Sequence, residues 1–145
     1  MEKSIERLQY LCNTIPHLLN QLDDALFSDK PHPETWSKKE IMGHLIDSAT
    51  NNHHRFVRGQ FEKVPAIMYD PDKWNAGNYY MQMDKSQIIG FWTLYNKHIL
   101  ELIKCIPKEK LNNKVDTGEN EYTLTFLFID YVSHLEHHLH QVVVY

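Results

Sequence analysis

Apolar residues recur every three to four positions in four long stretches of the chain, a spacing that places them on one side of an α-helix. In the first stretch, Ile5, Leu8, Leu11, Cys12, Ile15, Leu18, Leu19, Leu22 and Leu26 share that pattern. They predict a helix over about residues 2 to 27. Pro16 falls inside it. A proline lacks the backbone N–H and crowds the preceding turn, which predicts a kink or a break near Asn13 and Thr14. Lys30-Pro31-His32-Pro33 ends the segment.

The second stretch has a strong start. Ser37-Lys38-Lys39-Glu40 fits a capping box, with serine at the cap and glutamate three residues on. The helix should run to Gly59. Its stripe of Ile41, His44, Leu45, Ser48, Asn52 and Phe56 is unusually polar for a core-facing side. A third helix is predicted from Lys85 to Cys105, with Asp84 as cap and Gln87 completing the box. Ile88, Phe91, Trp92, Tyr95, His98, Ile99, Leu102 and Ile106 form its stripe, and Pro107 ends it. The last helix should run from Thr123 to Val144, burying Leu124, Leu127, Phe128, Tyr131, Leu135, His138 and Val142.

Between the second and third helices lies a stretch without periodicity. Pro65, Asp70-Pro71 and Asn75-Ala76-Gly77-Asn78 mark turns, yet Ile67, Met68, Tyr69, Trp74, Tyr79, Tyr80 and Met81 are too apolar for a plain linker. A long ordered loop covering one end of the fold is expected. Asn112-Asn113 and Thr117-Gly118-Glu119-Asn120 read as turns, and no strand pattern competes with the helices. The expected fold is all-α: an antiparallel-type four-helix bundle.

A chain of 145 residues fits one domain spanning the whole sequence. With 42% apolar residues it can build a true core. The net charge of −4 and the lack of any basic cluster argue against a nucleic-acid partner. No apolar run is long enough to span a bilayer, and Met1-Glu2-Lys3-Ser4 does not open a signal peptide, so a cytoplasmic location is expected. Cys12 and Cys105 then read as reduced residues rather than a disulfide.

Ten histidines stand out. Four fall within the run His134-Leu135-Glu136-His137-His138-Leu139-His140. Leu139 interrupts it and an apolar pattern continues beyond it, unlike a purification tag. His134 and His138 lie one helical turn apart on the same face. His44 sits on the polar stripe of the second helix. If that stripe faces the last helix, three imidazoles converge and can hold one metal, with an open position for water or substrate as in catalytic sites. A lone histidine on an apolar face is more often a hydrogen-bonded core residue. Several buried without partners are costly, which favours a shared ligand.

Asp47, three residues after His44, reads either as a residue orienting a ligand or as a solvated helix position. His140, His53 and His54 are expected at the surface, and His137 shares part of the ligand face but points aside. Arg55 and Arg58 offer charge for an anionic substrate. The chain has no His-Glu-x-x-His motif, no Glu-x-x-His pair, no phosphate loop, no nucleophile elbow and no cysteine beside a plausible base.

Three segments resemble the DinB-like superfamily, in its YfiT-type branch. They are Trp36-Ser37-Lys38-Lys39-Glu40-Ile41-Met42-Gly43-His44-Leu45-Ile46-Asp47-Ser48, Pro65-Ala66-Ile67-Met68-Tyr69-Asp70-Pro71-Asp72-Lys73-Trp74 and Tyr131-Val132-Ser133-His134-Leu135-Glu136-His137-His138. The likeness spans the chain in the same order. It implies a four-helix bundle, a divalent metal on His44, His134 and His138, and often a homodimer. It also implies metal-dependent hydrolysis, or transfer of a low-molecular-weight thiol such as bacillithiol or mycothiol to a small electrophile. On that reading Tyr69, Asp70 and Trp74 help form the pocket mouth. Zinc or nickel suits three imidazoles best, with copper, iron and manganese as further fits. A non-enzymatic metal-binding or interaction domain is the reading from another class.

Overall fold

The computed structural model describes all 145 residues. Its elements are α1 (Glu2–Gln21), α2 (Asp24–Ser28), α3 (Lys38–Arg58), α4 (Pro71–Asn78), α5 (Lys85–Cys105), β1 (Lys114–Asp116), β2 (Glu121–Thr123) and α6 (Leu124–Val142), with single 3-10 turns at Tyr80–Gln82 and Lys108–Lys110. The protein is a four-helix bundle of α1, α3, α5 and α6.

Helix α1 packs on α5 and α6, and so does α3. The order around the bundle is therefore α1, α5, α3, α6. The chain crosses the bundle diagonally from α1 to α3 and again from α5 to α6, instead of stepping between neighbours. Long connections permit both crossings. Side chains from all four helices, including Leu8, Ile15, Met42, Phe56, Trp92, Ile99, Phe128 and Leu135, interlock in one apolar core. The topology makes α3 and α6 direct neighbours, which is what the histidines require.

Four expectations need correction. Of the kink or break expected near Asn13 and Thr14, the break does not occur. Helix α1 continues through the proline because Ile15 and Leu19 anchor the flanking turns in the core. The break comes at Leu22, where Asp23 caps the separate α2 by accepting a hydrogen bond from Ala25 N at 2.8 Å. Helix α5 starts where expected, but the Asp84 side chain makes no capping bond.

The loop before α5 contains α4, which Asp70 caps by accepting from Lys73 N at 3.1 Å and Pro71 opens. Tyr79, in the left-handed region at φ +54°, ends it. Finally, β1 and β2 form a short antiparallel hairpin around Gly118. Three-residue strands are too short to show a period of two.

Candidate metal centre

The local sequence fixes the start of α3 two turns before His44. Ser37 Oγ accepts from Glu40 N at 3.1 Å, and Glu40 Oε2 accepts from Ser37 N at 2.8 Å, closing the expected box. Helix α6 is set by Thr123, whose hydroxyl accepts from Phe126 N at 3.1 Å. Leu135 and Leu139 seat α6 in the core. Across the α3–α6 seam, the rings of His44, His134 and His138 meet edge to face, with centroids 4.6–5.0 Å apart. One ring nitrogen from each lies within 4.8 Å of the others. His44 Nε2 and His134 Nε2 are 3.1 Å apart.

Burial sets the charge state. It pushes His44 down to about 3 and His134 down to about 4, helped by the neighbouring imidazoles. His138 is lowered too, again mainly by burial. All three rings are thus neutral at pH 7, the form that ligates metals. Trp36 leans over His44 at 4.9 Å. His44 Nδ1 and His138 Nδ1 are buried and have no hydrogen-bond partner. Such orphaned nitrogens are costly in a finished core.

The donor set fits a divalent ion. Histidine nitrogens on one zinc, bound at about 2.0–2.1 Å each, stand roughly 3–3.5 Å apart, so small ring rotations close the cluster. No cysteine or carboxylate joins the three rings in the cluster.

Asp47 is 1% exposed, so it is not a solvated position. Its Oδ1 accepts from Tyr80 Oη at 2.6 Å and from Asn78 Nδ2 at 2.8 Å, while Oδ2 is buried without a partner. Burial raises its carboxyl to about 6. None of its hydrogen bonds goes to a histidine. Gly43 allows this arrangement, because a Cβ there would collide with the Tyr80 ring.

The three loop residues diverge. Trp74 borders the cavity that Asp47 lines, whereas Tyr69 and Asp70 do not line it. Tyr69 sits edge-on to Trp74 at 5.8 Å. Asp70 is exposed and serves as the α4 cap, with an ion pair to Lys73 at 3.1 Å.

His140 and His54 are exposed as expected, His137 is exposed too, and His53 is half-buried. It packs on Tyr95 and His98, with Nδ1 3.0 Å from Tyr95 Oη. Arg55 and Arg58 are already engaged. Arg55 donates to the Ile67 carbonyl at 3.0 Å, and Arg58 pairs with Glu62 at 2.7 Å.

Cys12 is buried with its thiol pushed up to about 11, and Cys105 is exposed. Sequence reasoning gave no role to Trp36, Asn78 or Tyr80. Tyr80 and Asn78 had one visible signal: polar-tipped side chains in an unusually apolar loop.

The model of the DinB superfamily matches residues 8–142. A Bacillus mycoides protein named "Putative metal-dependent hydrolase" is 24% identical over 142 residues, covering 95% of this chain and 80% of the relative. A Bacillus cereus protein of the same name is 25% identical over 138 residues, covering 92% of this chain and 78% of the relative.

Among solved structures, YfiT from Bacillus subtilis, described as "a probable metal-dependent hydrolase with an unusual four-helix bundle topology", superposes with a TM-score of 0.87 at 20% identity. That match covers 97% of this chain and 82% of YfiT. A mycothiol-dependent maleylpyruvate isomerase superposes with a TM-score of 0.80 at 12% identity, covering 97% of this chain and 60% of the isomerase. No helix of this chain is long and apolar enough to cross a membrane.

Proposed function

The chain belongs to the DinB superfamily, and from that premise we propose that it is a metal-dependent enzyme transferring a low-molecular-weight thiol to a small electrophile. The observation that carries the reading is the meeting of three neutral imidazoles, from His44 on α3 and from His134 and His138 on α6, with no fourth protein ligand beside them. A site of three protein ligands keeps a coordination position open, as catalytic sites do and structural sites do not. A divalent ion held there supplies Lewis acidity, lowering the pKa of a thiol or water that takes the open position.

The chain's own residues do the rest. The buried seam keeps all three rings unprotonated and ready to ligate. Trp36 shields His44 on one side. The protein needs no nucleophile of its own, in keeping with the raised Cys12 thiol. The thiol gives up its proton to solvent water, its sulfur forms a bond to the electrophilic carbon, and the bond from that carbon to the leaving group breaks, the leaving group departing with the electron pair.

The mycothiol-dependent isomerase neighbour supports the thiol reading. The names of the bacillar relatives and the description of YfiT support a second one, metal-dependent hydrolysis, in which water replaces the thiol. Metal-loaded protein should be assayed with an activated aryl halide plus bacillithiol, mycothiol or glutathione, and separately with an activated ester in water. Thioether formation that requires a thiol, and that His44→Ala abolishes, is expected. Ester turnover without thiol, lost in the same variant, would establish the hydrolase instead. A homodimer belongs to the same proposal. Light scattering should report about twice the 17.3 kDa chain mass.

A further inference from the structure

A second feature of the fold owes nothing to the histidines. Between α3, α4 and α5 lies a cavity of about 300 Å³. Its walls are largely apolar and aromatic, with Trp74, Tyr80 and Phe91 among them, and no lysine, arginine or histidine lines it. Its one carboxylate is Asp47, whose Oδ2 is buried and lacks any partner. Its Oδ1 is pinned by Tyr80 and Asn78, which line the same cavity. The carboxylate is therefore held in one orientation with an acceptor left over.

An unpaired buried acceptor is costly unless something donates to it. Aromatic faces around a carboxylate attract cations through their ring quadrupoles. An anionic ligand would meet like charge and no counter-charge.

We propose that this cavity is a binding site for a small molecule carrying a protonated amine on a flat apolar body, with the ammonium donating to Asp47 Oδ2 and the body lying between Trp74 and Phe91. The site is independent of the metal reading. It would survive the failure of that reading.

The test uses benzylammonium as the probe, with benzyl alcohol and benzoate as its neutral and anionic counterparts. Titrations followed by calorimetry run near pH 8, where Asp47, raised to about 6, is ionised and an alkyl amine is protonated. Benzylammonium should bind saturably at millimolar concentration, at least tenfold tighter than either counterpart.

Asp47→Asn keeps an oxygen to accept from Tyr80 and Asn78 but removes the free acceptor and the charge. It should weaken binding at least tenfold. Trp74→Ala alters a partly exposed residue on the short α4 and should weaken binding several-fold, which keeps the test decisive if Asp47→Asn fails to fold. Chelator treatment should change nothing. Equal affinity for the alcohol, undiminished binding by Asp47→Asn, or no saturable binding would overturn the proposal. So would binding that a chelator abolishes and Asp47→Asn leaves intact, because that would put the amine on the histidine cluster.

Discussion

Helix α3 carries two histidine clusters, and they have opposite characters. Around His44, which is buried, half-buried His134 and His138 from α6 close a three-ring cluster, and two of its nitrogens are buried without a partner. Around His53, one turn and a half from the far end of the same helix, the ring meets Tyr95 and His98 on α5 at similar centroid distances of 5.0–5.5 Å. There His98 is exposed, and His53 is satisfied by the Tyr95 hydroxyl. Ring proximity is therefore common to both clusters. What separates them is the deeper burial of His44 together with convergence of three ring nitrogens, which suits the first cluster to a shared ligand.

The largest expected effect is on metal affinity. His44→Ala, His134→Ala and His138→Ala should each weaken binding of zinc or nickel at least about 100-fold, more than loss of an outer-sphere partner costs. His53→Ala and His98→Ala should leave it within about twofold. Isothermal titration of each variant compares the two clusters directly. Equal losses from both would erase the distinction.

Acid should act next. In metal-free protein, His44 and His134 titrate near 3 and 4, against roughly 6.5 when unfolded. Below about 6.5 the unfolded chain takes up protons that the native seam refuses, so native stability is full above that pH and falls as pH drops toward 4. A loss of roughly 1–3 kcal/mol between pH 7 and pH 5 is expected from two such groups, discounted for partial exposure. Urea titrations across that range measure it, and His44→Gln should flatten the slope.

A smaller effect concerns the seat of Asp47. Tyr80→Phe removes the 2.6 Å bond to Oδ1 and should cost about 1–2 kcal/mol, because a buried carboxylate loses one of its two donors and keeps only Asn78. The smallest is at the start of α3. Ser37→Ala breaks the capping box and should cost about 1 kcal/mol in thermal or denaturant unfolding. Metal affinity should fall little, because the seam lies two turns further on.

The long helices were legible because each buries a continuous stripe. Helix α5 was legible from Ile88, Trp92 and Ile99, although Phe91 and His98 of the expected stripe are exposed and Ile89, Asn96 and Leu100 are buried in their place, and the box at Ser37 and Glu40 is local chemistry that sequence displays directly. The pairing of His44 with α6 was legible only as a condition on which faces meet. The diagonal crossings that meet it depend on long connections, whose paths no periodicity encodes. Equally hidden were the anchoring of Pro16 by Ile15 and Leu19, and the three-residue strands. Asp47 shows the limit at the site. Its burial and its bonds to Asn78 and Tyr80 come from α4 and the turn after it, so nothing on α3 announces them.

We propose that the α3–α6 seam is a metal site built from three histidines. Cobalt(II) titration of the wild-type protein, followed by visible absorption, tests it most directly. A single saturating transition at one ion per chain is expected, with ligand-field bands that are absent when His44, His134 and His138 are all alanine. A protein that binds no cobalt, or whose bands survive that triple substitution, would contradict it.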